Sequence, residues 1–327
     1  MHNIVLFDTS IGTMNLGDEI IMESLQKNMK DLLDGNFIVK FPTHTPCFHF
    51  YQQTRRNPRY RFVRDAKYKF ICGTNIINNR MDIPWSTWNI NFANANCYNN
   101  SVLVGVGAAG LKDGVDQLSW YPKKLFSSFL SRSYKHSVRD ERTKRIVESM
   151  LGEGSAINTG CPTVWGLTRQ HCREIKENKA DQVVFTLTDY SKKPDTDQEL
   201  IDTLLRNYKK VFYWPQGTQD ISYFSKMNHT DEITIISPSI RSYSELLSQG
   251  NIDYVGTRLH AGIYAMQHKI RTIIIIVDNR AADMAAIYNI NTIVRGDKNL
   301  ESMIRTPFPT NVLIDEERIE TWKSQFR

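Results

Sequence analysis

Long hydrophobic runs are missing from this 327-residue chain; its longest strongly apolar stretch, Ile273 to Val277, reads as a buried strand and is far too short to cross a bilayer. The amino-terminal residues enter a strand at once (Ile4 to Phe7) and lack the basic, apolar and small-residue order of a signal peptide, so no leader is expected. Cysteine is sparse. The five present (Cys47, Cys72, Cys97, Cys161, Cys172) are odd in number, scattered and without a Cys-x-x-Cys pair, which argues against a disulfide framework or a zinc site and for a reducing cytoplasm. Acids such as Asp278 and Asp283 read as structural, and without a ligand cluster no metal is expected. No lysine follows the second glycine of Gly12-Thr13-Met14-Asn15-Leu16-Gly17, which excludes a nucleotide P-loop. Internal repeats and low-complexity tracts are absent too.

What is there is a globular composition, 41% hydrophobic and 23% charged, in a chain long enough for two domains. The net charge of +6 is concentrated. Between Thr54 and Lys69 lie Arg55, Arg56, Arg59, Arg61, Arg64, Lys67 and Lys69 against Asp65 alone, so the remainder is formally neutral. Tyr60, Phe62 and Tyr68 interleave with these cations. Such a stretch reads as a solvated basic loop leading into a strand, or as a face for anionic lipid head groups or a pyrophosphate-bearing substrate. No nucleic-acid fold signature accompanies it, and nucleic acid is not an expected partner.

Strand-like and helix-like segments alternate almost throughout, which predicts an α/β protein of parallel sheets with crossover helices. The expected division is residues 1–170 and 181–327, two doubly wound Rossmann-like domains facing a cleft, with Arg169 to Asp181 as linker and a last helix, Glu316 to Gln325, packing back on the first domain.

The most informative stretch is Asp253-Tyr254-Val255-Gly256-Thr257-Arg258-Leu259-His260-Ala261-Gly262, where an apolar strand stops at Gly256 and a helical pattern begins. Arg258 and His260 therefore fall at the carboxyl edge of a parallel sheet, where open α/β sheets bind ligands and a helix N-terminus favours anions. A structural reading stays open, with Arg258 paired to a sheet-edge carboxylate and His260 capping the helix. Ser137-Val138-Arg139-Asp140-Glu141 and Val277-Asp278-Asn279-Arg280 put Arg139 and Arg280 in similar strand-to-helix positions, with Asp140 a candidate cap. The Asn15 to Asp18 loop and the Gly73-Thr74-Asn75 turn are further candidates to face the cleft. Gly105-Val106-Gly107-Ala108-Ala109-Gly110 matches the dinucleotide fingerprint formally, yet Lys112, Asp113 and Gly114 do not begin a convincing helix and no acid-tipped strand follows. It reads as a glycine-rich turn.

Four signatures, in order, give the chain a likeness over most of its length: Asn15-Leu16-Gly17-Asp18, Ser137-Val138-Arg139-Asp140, Gly160-Cys161-Pro162-Thr163-Val164-Trp165 and Gly256-Thr257-Arg258-Leu259-His260. With these it resembles the polysaccharide pyruvyl transferase family. The resemblance implies a two-domain GT-B-like fold, phosphoenolpyruvate as donor and a sugar of a cell-surface glycan, or its lipid-linked precursor, as acceptor. It maps the family's mid-chain arginine onto Arg139 and its Arg-Leu-His onto Arg258, Leu259 and His260. Two positions depart from the family pattern: Gly73-Thr74-Asn75 stands for three glycines, and Arg280 for a lysine.

Donor binding is accordingly expected of Arg139, Arg258, Arg280 and Thr257, since a carboxylate plus a phosphate calls for several cations. Acceptor binding is expected of Asn15, Gly17, Asn75 and Gly107, with His260 as general acid and Asp18 on an acceptor hydroxyl. No cofactor beyond the co-substrate is implied. The expected setting is cytoplasmic, with peripheral contact at the inner membrane face through Arg55, Arg56, Arg59, Arg61 and Arg64. Competing readings are a nucleotide-sugar glycosyltransferase of the same architecture, a non-catalytic lipid-carrier or glycan-binding scaffold and, on the glycine fingerprint alone, a nicotinamide-dependent oxidoreductase.

Overall fold

A computed structural model of the chain describes residues 2–83, 88–111 and 116–326, and of Asn279 and Arg280 the backbone only. Two compact units emerge: Met1–Thr13 with Ile21–Trp165 and Asp315–Arg327, and Met14–Ile20 with Gly166–Ile314.

The first unit follows the alternation read from the sequence. Its elements are β1 (Asn3–Asp8), α1 (Gly17–Asn28, of which the first turn to Ile20 counts with the second unit), α2 (Lys30–Leu33), β2 (Phe37–Pro42), α3 (Pro58–Asp65), β3 (Tyr68–Cys72), β4 (Asn75–Ile77), β5 (Val102–Val104), β6 (Gly107–Ala108), α4 (Trp120–Phe129), β7 (His136–Val138), α5 (Glu141–Leu151) and β8 (Ala156–Asn158). A parallel sheet runs β2-β1-β3-β5, with β4 paired to β6 and β7 to β8. Period-two alternation divides the strands between two cores. Val5, Phe7, Ile71 and Leu103 pack with Phe126, Ile146 and Val147, while Ile4, Leu6, Phe70 and Val104 pack with Met22, Leu25 and Trp322.

Side chains do the work of backbone between β5 and β7. The Leu103 N–H donates to His136 Nδ1 at 3.1 Å and the Gly105 N–H to Ser137 Oγ at 2.9 Å. His136 Nε2 in turn donates to the Ser131 carbonyl at 2.9 Å, which sets the tautomer. Burial pushes this imidazole down to about 4.

The basic stretch, expected as a loop, is helical at its centre. Asn57 caps α3 by accepting from the Arg59 and Tyr60 N–H groups, Pro58 stands in the first turn, and Tyr60 and Val63 point inward. Two apolar anchors among so many arginines leave little periodicity to read.

The second unit comprises α6 (Arg169–Arg173), β9 (Gln182–Phe185), α7 (Pro194–Asn207), β10 (Lys210–Tyr213), α8 (Asp220–Phe224), β11 (Thr234–Ile235), α9 (Ile240–Ser248), β12 (Ile252–Gly256), α10 (Leu259–Gln267), β13 (Thr272–Ile276), α11 (Asn279–Tyr288), β14 (Thr292–Val294) and α12 (Leu300–Arg305). Its sheet is parallel in the order β11-β10-β9-β12-β13-β14. Connections wind outward from β9 one way and from β12 the other, so the topological switch point lies between these two strands.

Two boundaries differ from expectation. Residues 14–20 belong with the second unit, because the Leu16 N–H donates to the Gln216 carbonyl at 2.9 Å and the Thr218 N–H to the Met14 carbonyl at 3.2 Å. The stretch from Arg169, taken for a linker, opens with α6, whose N-cap Thr168 accepts from His171. The last helix, α13 (Glu316–Ser324), is part of the first unit, with the Trp322 ring 5.9 Å from that of Trp165 and 6.4 Å from that of Phe70.

Candidate active site

At the switch point of the second unit, β9 and β12 approach so closely that a Cβ on Gly256 would lie 2.6 Å from Thr186 Oγ1. Thr257 is buried, and its hydroxyl donates to the Thr186 carbonyl at 3.2 Å and meets the Thr188 hydroxyl at 2.8 Å. Expected beside the donor, Thr257 here ties the two strand ends together.

Arg258 follows with extended backbone as the N-cap residue of α10. Its side chain is 3% exposed and turns away from the helix. Nε donates to the Leu187 carbonyl at 3.0 Å, and Nη2 pairs with Asp189 at 2.8 Å and with Asp220. Asp220 also accepts from the Gln216 and Gly217 N–H groups at 3.0 and 2.7 Å, so one carboxylate organises the turn after β10. Burial pushes the Asp220 carboxyl above its ordinary value, and the guanidinium draws it back. Two carboxylates therefore surround one cation. Of the roles left open for Arg258, the structure has it pairing with sheet-edge carboxylates, and a guanidinium so neutralised is not a free anion clamp.

His260 lies in the first turn of α10 and is 7% exposed. It does not cap the helix, since that position is held by Arg258. Its imidazole abuts the amino-terminal loop. A Cβ on Gly17 would sit 3.3 Å from His260 Nδ1, 3.0 Å from Gln216 Nε2 and 3.2 Å from Asn15 Oδ1. Asn15 Oδ1 accepts from the Gly17 N–H at 3.0 Å and from Gln216 Nε2 at 2.7 Å. The first turns of α1 and α10 thus meet, and Asp18, half-buried, is the next residue along α1. Asn15, Gly17 and Asp18, which precede His260 by 242 to 245 residues, form one cluster with it and Gln216.

In the first unit, three other candidates converge. Asn75 and Gly107 are register partners across β4 and β6. A Cβ on Gly107 would lie 2.2 Å from Arg139 Nε and 2.4 Å from Asn75 Oδ1, so only glycine fits beneath the guanidinium. Arg139 follows β7, its side chain is 12% exposed, and its Nε lies 3.6 Å from Asp140 Oδ2. Asp140 caps α5 by accepting from the Thr143 N–H at 2.6 Å. Gly105, with φ +61°, packs where a Cβ would meet Pro162 Cδ at 2.2 Å. Gly105 and Gly107 make room for Pro162 and Arg139, and the next described helix, α4, starts only at Trp120; Lys112, Asp113 and Gly114 lie outside the described residues. The side chain of Arg280 is likewise outside them, although its backbone opens α11, capped by Asp278 through the Ala281 N–H at 2.8 Å.

Sequence reasoning missed Asp189, Asp220 and Gln216. A signal existed: Trp214-Pro215-Gln216-Gly217 follows a strand and precedes a helix, as the chosen motifs do. Among the described residues, no three histidines, cysteines or acids are placed to hold a metal ion.

These features define a class, doubly wound α/β proteins with polar clusters gathered past the carboxyl ends of parallel strands. Within it the chain belongs to the polysaccharide pyruvyl transferase family, whose model matches residues 15–279. No curated protein matches the chain. Solved structures similar to it include the UDP-GlcNAc 2-epimerase of Methanocaldococcus jannaschii, at 12% identity over 98% of this chain and 97% of that one with a TM-score of 0.47. The UDP-GlcNAc 2-epimerase of Neisseria meningitidis is 9% identical over 100% of both chains, with a TM-score of 0.47. The heptosyltransferase WaaC of E. coli is 9% identical over 84% of this chain and 88% of that one, with a TM-score of 0.39. All are GT-B fold proteins.

Proposed function

We propose that this chain moves the pyruvyl group of phosphoenolpyruvate onto a sugar of a cell-surface polysaccharide, or of its lipid-linked precursor, as a ketal. Family membership supports the reading, and one observation carries it. The first turns of α1 and α10 meet at Gly17 and His260, which brings two positive helix ends and a titratable imidazole to one point. A small dianion that must be protonated on carbon suits such a point.

In the proposed reaction His260 delivers a proton to the methylene carbon, Asp18 takes one from an acceptor hydroxyl, and that oxygen bonds to C2. The C2–O bond to phosphate then breaks, a second hydroxyl adds, and its proton leaves to balance the phosphate. One phosphoenolpyruvate and two hydroxyls give one ketal and one hydrogen phosphate. Arg139 and Arg280 supply positive charge for the donor, Asn15, Gly17, Asn75 and Gly107 accommodate the acceptor, and Arg258 holds the Gln216–Gly217 turn against the cluster. No cofactor takes part. The test is phosphate release from phosphoenolpyruvate across free and lipid-linked oligosaccharides; no release with any acceptor, and no binding of phosphoenolpyruvate, would sink it.

The second reading is a nucleotide-sugar glycosyltransferase, favoured by the strand order of the second unit, which is that of nucleotide-binding sheets. Thermal shift separates the two. Stabilisation by phosphoenolpyruvate and not by UDP- or GDP-sugars supports pyruvyl transfer, and the reverse pattern the alternative.

A further inference from the structure

The basic stretch holds more than charge. Arg55, Arg56, Arg59 and Arg61 are exposed, and among the described residues none of them meets a carboxylate. Elsewhere exposed arginines are commonly paired: Arg241 with Glu245, Arg305 with Glu301, Arg318 with Glu141 and Asp315. Four neighbouring guanidiniums outside any ion pair, with the nearby Asp65 taken by Arg64, leave a positive face.

Exposed aromatic rings border that face. Phe48 is buried with its ring 5.9 Å from that of Tyr60 in α3, and Asn57 Nδ2 donates to the Gln52 carbonyl at 2.9 Å, which ties the turn carrying Phe50 and Tyr51 to the start of α3. Those two rings are 74% and 64% exposed. Gln53 Nε2 donates to the Ala93 carbonyl at 2.8 Å and so brings in Phe92, 45% exposed, whose ring lies 5.5 Å from that of Tyr121. Trp120 follows at 69% exposure, with Lys124 Nζ 5.2 Å from its ring. Three separate segments thus present large exposed rings, the last of them with a lysine at its face.

We propose that this face of the first unit docks on an anionic lipid bilayer, with the arginines on the head groups and Phe50, Tyr51 and Trp120 in the interfacial layer. A free phosphate or pyrophosphate would use the cations and leave the rings in water; a bilayer interface takes both. The inference stands apart from the reading of the active site, because its test reads binding and no turnover.

The full chain is sedimented with vesicles of phosphatidylcholine alone and with about 30% phosphatidylglycerol, at low and high salt. The expected result is at least roughly tenfold stronger binding to the anionic vesicles, falling about as much when salt rises from 0.1 to 0.5 M. The quadruple change Arg55→Ser, Arg56→Ser, Arg59→Ser and Arg61→Ser should bring binding down to the neutral-vesicle level. Phe50→Ser with Tyr51→Ser should weaken it several-fold at unchanged net charge. Both variants alter exposed side chains, and an unshifted thermal midpoint verifies their fold. Equal binding to both vesicle types, binding to neither, variants that bind as before, or a single-stranded oligonucleotide that displaces the chain from vesicles would each overturn the proposal.

Discussion

Arg258 and Arg139 occupy the same kind of position, just past a parallel strand and just before a helix, and they are held in different ways. Arg258 sits inside the second unit between Asp189 and Asp220, with its Nε on a backbone carbonyl. Arg139 lies over Gly107 in the first unit, with Asp140 at 3.6 Å. In one case two carboxylates need the cation; in the other a glycine makes room for it. A motif that delivers an arginine to a sheet edge therefore does not say whether that arginine builds the site or binds within it.

Experiments can sharpen that contrast. The largest effect is expected beside Arg258 and not at it: His260→Gln should lower kcat by about 10²–10⁴-fold, the usual worth of a general acid, while the unfolding midpoint stays put. Near-normal turnover would remove the imidazole from the mechanism. Next, Arg258→Met should cost about 3–5 kcal/mol in denaturant unfolding because it strands the buried Asp220 and the half-buried Asp189. Arg139→Met should cost about 1 kcal/mol or less and show itself as a higher KM for phosphoenolpyruvate. If the two variants lose equal stability, the distinction fails.

The third effect concerns the strand that carries Arg139. His136 is buried neutral with its imidazole held at about 4, against 6.5 for an ordinary histidine. Between those values the unfolded chain binds a proton that the folded chain does not, so stability falls as pH drops through this window. The loss should total about 3 kcal/mol at pH 4, read by urea unfolding, and His136→Gln should flatten the slope. The smallest effect separates two glycines. Gly107→Ala forces Arg139 and Asn75 aside and should cost about 1–2 kcal/mol together with donor affinity. Gly17→Ala meets its neighbours only at 3.0 to 3.3 Å, and it should cost less stability in the same assay.

Much of the scaffold was legible because it repeats local rules. The helix at Glu141–Leu151 begins at the Asp140 cap read from the sequence, with strands His136–Val138 and Ala156–Asn158 on either side in the expected alternation. Elements that rest on distant partners were not legible. β4 and β6 are too short for a period of two and exist through each other, and β14 and α12 complete an edge whose neighbours are specified elsewhere. Asn15, Gly17 and His260 were singled out separately, whereas Gln216, which joins them, was not.

Alternating period-two and period-3.6 patterns, with glycines and caps at their junctions, are local properties, and they sufficed to determine an α/β chain with candidate residues at strand ends. Which partners those residues meet depends on strand order, a long-range property that local periodicity does not encode. Only the tertiary structure decided that Asp189 and Asp220 neutralise Arg258, that the Asn15 loop joins the second unit, and that, among the described residues, four arginines stand outside any ion pair near exposed rings.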